Sequence, residues 1–77
     1  MARLKGKLTI QNHIQELRNK RGLTQQELAD CVDVTRLTIL ALERGNYNPS
    51  LELAFRFAIF FETNIEDIFY MTGLSDE

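Results

Sequence analysis

The sequence predicts an all-α domain of five short helices, with the second and third joined as a helix-turn-helix. Apolar residues recur at helical spacing, and each run ends in a clear stop signal. Three of the runs are preceded by a hydroxyl residue able to cap a helix: Thr24, Thr35 and Ser50. The chain has 77 residues, enough for one core and no second one.

Ile10, Ile14 and Leu17 share a helical face and Gly22 follows, so the first helix is expected over about Gln11 to Arg21. Thr24-Gln25-Gln26-Glu27 fits the capping box, in which the Thr24 hydroxyl accepts from the Glu27 amide and the Glu27 carboxylate reaches back. The second helix then runs from Gln25 to about Val32 and buries Leu28, Ala29 and Val32. Asp33-Val34 is a short connection. Thr35 caps a third helix that extends to Arg44 and stops at Gly45. Gly45-Asn46-Tyr47-Asn48-Pro49 is a loop by its turn chemistry. Ser50 caps a fourth helix, Leu51 to about Phe61, which Glu62-Thr63-Asn64 breaks. Asn64, in preference to Thr63, caps a short fifth helix, Ile65 to Phe69. Weak period-two stretches at the two ends, Leu8–Ile10 and Phe69–Met71, are able to form a short antiparallel strand pair. The chain divides into a basic arm or short strand (1–9), a helix-turn-helix domain (10–70) and a C-terminal tail (71–77).

Composition narrows the function. A chain this short hides only about 60% of its unfolded surface, so a lone monomer is marginal. Its single cysteine, Cys31, allows no intrachain disulfide, and Cys31 with His13, its single histidine, makes no structural zinc site. A partner subunit remains as the source of extra stability. At 44% hydrophobic and 26% charged the chain can build a core. No apolar stretch approaches the roughly 18 residues of a membrane span. Leu8-Thr9-Ile10 is too short for a signal-peptide core, and a lone thiol suits a reducing compartment, so the expected location is cytoplasmic. The net charge of −2 conceals an asymmetry: residues 1–44 carry eight Lys/Arg against five acids, whereas residues 45–77 carry one Arg against six acids. The first half can face a polyanion while the second keeps the chain in solution.

On a helical wheel the third helix turns Ile39 and Leu42 inward. Arg36, Leu37, Leu40, Ala41 and Arg44 fall on the opposite face, available to a partner. From Leu17-Arg18 through Gly22–Ala29, Val34–Ile39, Leu42–Gly45, Tyr47–Ala54 and Ile65–Phe69, the sequence resembles the Cro/repressor, xenobiotic-response-element (XRE) type of helix-turn-helix regulator. It is most similar to the short, stand-alone bacterial regulators of the cytolysin repressor type. The resemblance spans about residues 10–70 and implies a lambda-repressor-like, five-helix DNA-binding domain with helix three in the major groove. By position it puts Arg36, Leu37 and Leu40 at the bases, Gln25 at a phosphate and sometimes a base, and Thr35, Thr38, Asn46, Tyr47 and Asn48 at the backbone. Arg44, on the same outward face, joins the DNA-contacting set.

Arg36 can fork onto O6 and N7 of a guanine, and Leu37 and Leu40 can meet thymine methyl groups. The family usually carries Gly where Asp33 stands and polar residues where Leu37 and Leu40 stand. It also implies a partly buried ion pair between Arg18 and Glu43, linking helices one and three. The basic start (Arg3, Lys5, Lys7) reads equally as an arm on the DNA backbone and as a solvated tail. His13 reads as helix surface and Cys31 as an incidental thiol.

The fourth helix carries more apolar residues than one core face needs. Leu51, Ala54, Phe57, Ala58 and Phe61 complete the core stripe, leaving Leu53, Phe55, Ile59 and Phe60 over. Together with Phe69 and Met71 these form the expected homodimer surface, with terminal strands helping to form the dimer as in the resembling regulators. The function expected is that of a dimeric, sequence-specific bacterial or phage transcription regulator, a repressor, on an inverted-repeat operator in double-stranded DNA. The alternative is an antitoxin or adaptor that uses its apolar outward face to bind a protein. No nucleophile–base pair, paired carboxylates or phosphate loop points to an enzyme, a cofactor or a small-molecule substrate.

Overall fold

A computed structural model describes residues 6–75. The order is β1 (Lys7–Asn12), α1 (Ile14–Lys20), α2 (Gln25–Val32), α3 (Arg36–Glu43), α4 (Leu51–Phe60), α5 (Ile65–Ile68) and β2 (Phe69–Ser75). The fold is therefore not purely all-α: the five helices carry a two-stranded antiparallel sheet. Its strands come from the two ends of the described chain, with Ile10 opposite Met71 and Asn12 opposite Phe69. The pairing is made within one chain. A bulge leaves Thr72 unopposed, and its hydroxyl donates to the Thr9 carbonyl at 3.4 Å. Arg3 and Lys5 of the basic arm lie outside the described residues.

The ladder claims Gln11 and Asn12, so α1 begins three residues later than helical spacing alone suggests. Asn12 makes the corner. Its Oδ1 accepts from the Ile14 amide at 3.1 Å, and its Nδ2 donates to the Leu42 carbonyl at 2.9 Å. The sheet is thereby tied to the end of α3.

The helix starts follow the expected caps. Thr24 Oγ1 accepts from the Glu27 amide at 3.0 Å, while Glu27 Oε1 accepts from the Thr24 amide at 2.8 Å. Thr35 accepts from the Thr38 amide and Ser50 from the Leu53 amide. Asn64 holds the N-cap position of α5, but its side chain makes no capping bond; the Thr63 hydroxyl instead donates to Asp67 Oδ2 at 3.1 Å.

Helix ends reuse one device, a residue in left-handed geometry whose following amide bonds back across the last turn. Gly45 (φ 77°) ends α3 in this way, and the Asn46 amide donates to the Ala41 carbonyl at 3.0 Å. Two acids do the same work without glycine's freedom: Asp33 (φ 61°) after α2 and Glu62 (φ 54°) after α4. Each lies near an arginine of another element. Arg56 of α4 is 3.7 Å from the Asp33 carboxylate and also donates to the Val32 carbonyl at 3.1 Å. Arg21 is 4.0 Å from Glu62 and lies over the rings of Phe60 and Phe61.

Phe57, Ile14, Leu28, Ile39, Leu42 and Ile68 are wholly buried and form the centre of the core. Phe69 packs its ring edge-on to Phe57 at 6.2 Å, so β2 closes one side of the core. One expectation fails on α4. Leu53, assigned to the dimer surface, is 6% exposed and belongs to the core, whereas Leu51, assigned to the core, is 72% exposed. Leu53, Phe57 and Phe61 make an i, i+4, i+8 row that buries three large side chains. Two residues back from Leu53, about 200° round the helix, Leu51 must point away.

The strain at Asp33 is testable. Asp33→Gly is expected to raise stability by up to about 1 kcal/mol, because glycine enters left-handed geometry without a Cβ penalty. For a domain of this size that is a rise in Tm of about 4–8 °C. Asp33→Ala should move the Tm down, since it keeps the Cβ and loses the local polar contacts; calorimetry of the two variants decides it.

Candidate nucleic-acid interface

α2 and α3 form the helix-turn-helix. Val32 (α2) and Ile39 and Leu42 (α3) hold the two helices together from within, and Val34 in the turn packs against the same cluster. With that face of α3 consumed, its other residues face outward as the wheel predicts. Arg36, Leu37 and Arg44 are exposed, and Leu40 and Ala41 are half-buried. Leu37 stands out at 68% exposure, a large apolar side chain left mostly uncovered by its own chain. Asn46, Tyr47 and Asn48 are exposed in the loop beyond α3, across a cleft of about 440 Å³ from Leu8–Gln11 of β1. Thr35 and Thr38 sit at the start of α3, their hydroxyls 3.1 Å apart. Thr38 is half-buried and also borders the hollow lined by Tyr47 and Arg56.

Beneath this face lies the expected ion pair. Arg18 Nε donates to Glu43 Oε2 at 2.6 Å and Nη2 donates to Oε1 at 3.2 Å, a two-pronged fork. The third arm, Nη1, donates to the Leu23 carbonyl at 2.8 Å and fixes the turn between α1 and α2. Both side chains are largely withdrawn from water, Arg18 at 11% and Glu43 at 5% exposure. The hydrogen bond to Glu43 holds the guanidinium above its ordinary pKa, with burial opposing it and the carboxylate's charge adding to it.

Glu43 also reaches the surface through Gln25. Gln25 Nε2 donates to Glu43 Oε1 at 3.0 Å, and Arg36 Nη1 donates to Gln25 Oε1 at 3.2 Å. The four side chains Arg18, Glu43, Gln25 and Arg36 thus join α1, the end of α3, the start of α2 and the start of α3. Sequence reading placed all four residues but did not link the buried pair to the exposed arginine. It also missed Arg56, whose contacts with Val32 and Asp33 steady the end of α2, and Asn12. No spacing rule announces such side-chain reaches across elements.

A second surface lies on α4 and the sheet. Phe55 (52% exposed), Ile59 (76%) and Met71 (64%) remain on it, joined by Leu51. Phe60 and Phe69 are half-buried against the chain's own core. Leu51, Phe55 and Ile59 form a straight i, i+4, i+8 strip. Ile10, Leu51, Ile65 and Phe69 line an apolar hollow that continues it toward the sheet. His13 is exposed, its Nδ1 2.7 Å from Glu16 and its ring stacked on Tyr70; Cys31 is exposed.

The helix-turn-helix family model matches residues 14–68. This chain belongs to the helix-turn-helix family of transcriptional regulators, a family of non-enzymatic DNA-binding proteins. It is similar to an HTH-type transcriptional regulator of Archaeoglobus fulgidus, 52% identical over 60 residues that cover 78% of this chain and 86% of the relative. It is also similar to the cryptic phage CTXphi transcriptional repressor RstR of Vibrio cholerae, 36% identical over 55 residues, covering 71% of this chain and 50% of that one. Among solved structures it resembles the restriction-modification controller protein C.AhdI of Aeromonas hydrophila, with a TM-score of 0.66, 29% identity, and coverage of 71% of this chain and 83% of that one. Among the described residues no helix is long and apolar enough to cross a membrane.

The buried fork makes a sharp stability prediction. Glu43→Ala leaves the Arg18 charge without its partner and should cost about 3–5 kcal/mol. That is a large part of the total stability of a small domain, about 5–15 kcal/mol. Removing both charges, as in the pair Arg18→Met with Glu43→Leu, should cost clearly less than the single change. Urea unfolding followed by circular dichroism compares them; equal costs would show that the two groups do not interact.

Proposed function

We propose that this protein is a sequence-specific transcriptional repressor that binds an inverted-repeat operator as a homodimer, with α3 in the major groove. The observation that carries this is the division of α3: one face is locked into the core, and the other exposes Arg36, Leu37 and Arg44 beside the start of α2 and the loop Asn46–Asn48. Residues 10–70 act as the DNA-binding domain, and its site of action is the cytoplasm.

Arg36 and Leu37 stand in the first turn of α3, where a recognition helix meets base edges. Arg36 reads guanine through its fork, and Leu37 and Leu40 read thymine methyl groups by apolar contact. Gln25, Thr35, Thr38, Arg44, Asn46, Tyr47 and Asn48 sit around this centre and supply backbone contacts. At the start of α2 the capping box occupies the Thr24 and Glu27 amides and leaves those of Gln25 and Gln26 to a phosphate. The dimer rests on Phe55, Ile59 and Met71, with the half-buried Phe60 and Phe69 beside them, and it sets two α3 helices about 34 Å apart. The exposed apolar side chain of Leu37 also suits a protein partner, which is the adaptor or antitoxin reading; a stoichiometric protein partner with no DNA binding would establish it.

With about eight phosphate contacts per dimer, log K should fall against log salt with a slope near −7, and a slope near zero would overturn the DNA reading. Arg36→Ala should lose about 1–3 kcal/mol on the selected operator and much less on random DNA. Both are read by titration on a site chosen from random duplexes. Ile59→Glu places a charge in the apolar strip and should shift the protein to monomer in sedimentation velocity, with weaker operator binding. A variant that stays dimeric would move the interface elsewhere.

A further inference from the structure

We propose that the cleft between β1 and the loop after α3 holds a backbone phosphate of the operator, with the outer edge of β1 and the carboxamide of Gln11 as its second wall. This deepens the DNA-binding reading above and rests on it.

The cleft is about 440 Å³ and is lined by Leu8–Gln11 and Gly45–Asn48. Successive side chains of a strand point to opposite faces. A cleft bordered by four consecutive strand residues therefore runs along the edge of β1 rather than over one face. Pairing with β2 decides which backbone groups meet it. The Thr9 carbonyl accepts from Thr72 Oγ1 at 3.4 Å, and the His13 amide donates to the Ile68 carbonyl at 2.8 Å. The odd-numbered residues of this stretch thus turn toward β2. By the alternation of an antiparallel ladder, Leu8 and Ile10 turn their amides the other way, out of the sheet. Among the described residues no backbone hydrogen bond joins this edge to the loop. Gln11 approaches the loop with its side chain, whose Oε1 lies 3.6 Å from where a Cβ would stand on Gly45. Asn12 beside it uses both ends of its carboxamide inside the fold, on Leu42 and Ile14, whereas among the described residues no such bond occupies that of Gln11.

Charge selects the occupant. The chain carries 11 acids, and none is among the residues that line the cleft. Arg44, which is exposed, directly precedes Gly45 of the wall. The cleft offers neutral donors: main-chain amides, carboxamides and the Tyr47 phenol. Such groups hold phosphate oxygens and fix a protein's register on a duplex without reading its sequence. The wall opposite β1 is Asn46–Asn48, which the reading above puts at the DNA backbone. A phosphate held by that loop therefore comes within reach of the strand edge as well. An added peptide strand fits less well. It needs a continuous row of outward N–H and C=O groups. Leu8 and Ile10 supply only a short one before Asn12 turns the chain into α1.

The test uses the full chain with two substitutions made singly. Gln11→Val removes the carboxamide and keeps a good strand former. Leu8→Pro removes one outward amide at an edge, where strands accept proline. Both are titrated on the selected operator, on random duplex, and on operators that carry one uncharged methylphosphonate at each position in turn. Each variant should bind operator and random duplex about tenfold more weakly, with base preferences and Tm unchanged. Neither removes a charge, so the salt slope should stay at the wild-type value. At one phosphate of each half-site, the methylphosphonate and Gln11→Val together should cost no more than either alone. Wild-type affinity in either variant, or additive losses at every phosphate, would overturn the proposal. A shift to monomer in sedimentation velocity would also overturn it, by making the edge a subunit contact. Should Leu8→Pro lower the Tm, Gln11→Val decides alone. Wild-type protein that binds no duplex ends the DNA reading and this proposal together, whereas intact operator selection with unaffected variants ends this proposal alone.

Discussion

Everything functional in this small molecule leans on one buried charge pair. A carboxylate and a guanidinium withdrawn from water are expensive unless their remaining valences are satisfied, and here they are. Arg18 spends all three of its nitrogens on Glu43 and Leu23, and Glu43 takes a third donor from Gln25. Among the described residues no buried side-chain polar atom is left without a partner. The consequence is geometric rather than simply stabilising. Apolar packing between Val32, Ile39 and Leu42 tolerates small sliding and rolling of one helix on another. A forked bond does not: it fixes α1 against α3, and the bond from Gln25 to the same carboxylate adds the start of α2. A helix proposed to enter a groove needs that kind of definition more than it needs extra stability.

The ends of the elements follow a second constraint, the disposal of unpaired carbonyls at helix termini. Glycine is the cheap solution, used at Gly45. Asp33 and Glu62 are costlier ones, and both stand close to arginines, Arg56 and Arg21, that also fasten one helix to another. The acidic side chains thus become part of the inter-helix wiring. A carboxylate in the helix-turn-helix turn adds negative charge near the proposed DNA surface, and Arg56 partly offsets it. The net charge of −2 is no obstacle to that surface for the same reason: what a polyanion meets is the local arrangement of Arg36 and Arg44, within a Debye length of about 10 Å.

Signals that act over three or four residues were legible in the sequence. The capping box at Thr24, the caps at Thr35 and Ser50, the stop at Gly45 and the inward pair Ile39 and Leu42 all appear where local chemistry puts them. Arg18 and Glu43 were placed through resemblance, since nothing local marks two residues 25 apart as partners. The sheet is where local signals compete. Ile10 fits the helical row of Ile14 and Leu17, but Gln11 and Asn12 enter the ladder opposite Tyr70 and Phe69, a pairing that only the closed fold supplies. The exchange of Leu51 and Leu53 has a related cause. With apolar residues around most of α4, the wheel permits two core stripes, and packing of Leu53, Phe57 and Phe61 against the other helices selects one.

That selection changes what the fourth helix can do. With Leu53 inside, the leftover residues are not scattered around the helix but aligned as Leu51, Phe55 and Ile59 on one line. Scattered exposed leucines need no explanation, whereas a line of three large apolar side chains leading to an apolar hollow beside Ile10 and Phe69 is a continuous surface. The sheet matters here as well. Because β1 and β2 pair within the chain, the ends need no second copy to be ordered, and the apolar strip is the surface offered to the proposed second subunit. Such an interface can be rigid without being entangled. Rigidity is what the proposed two-fold reading of DNA requires, since any play between subunits would appear directly as an error in the spacing of the two recognition helices.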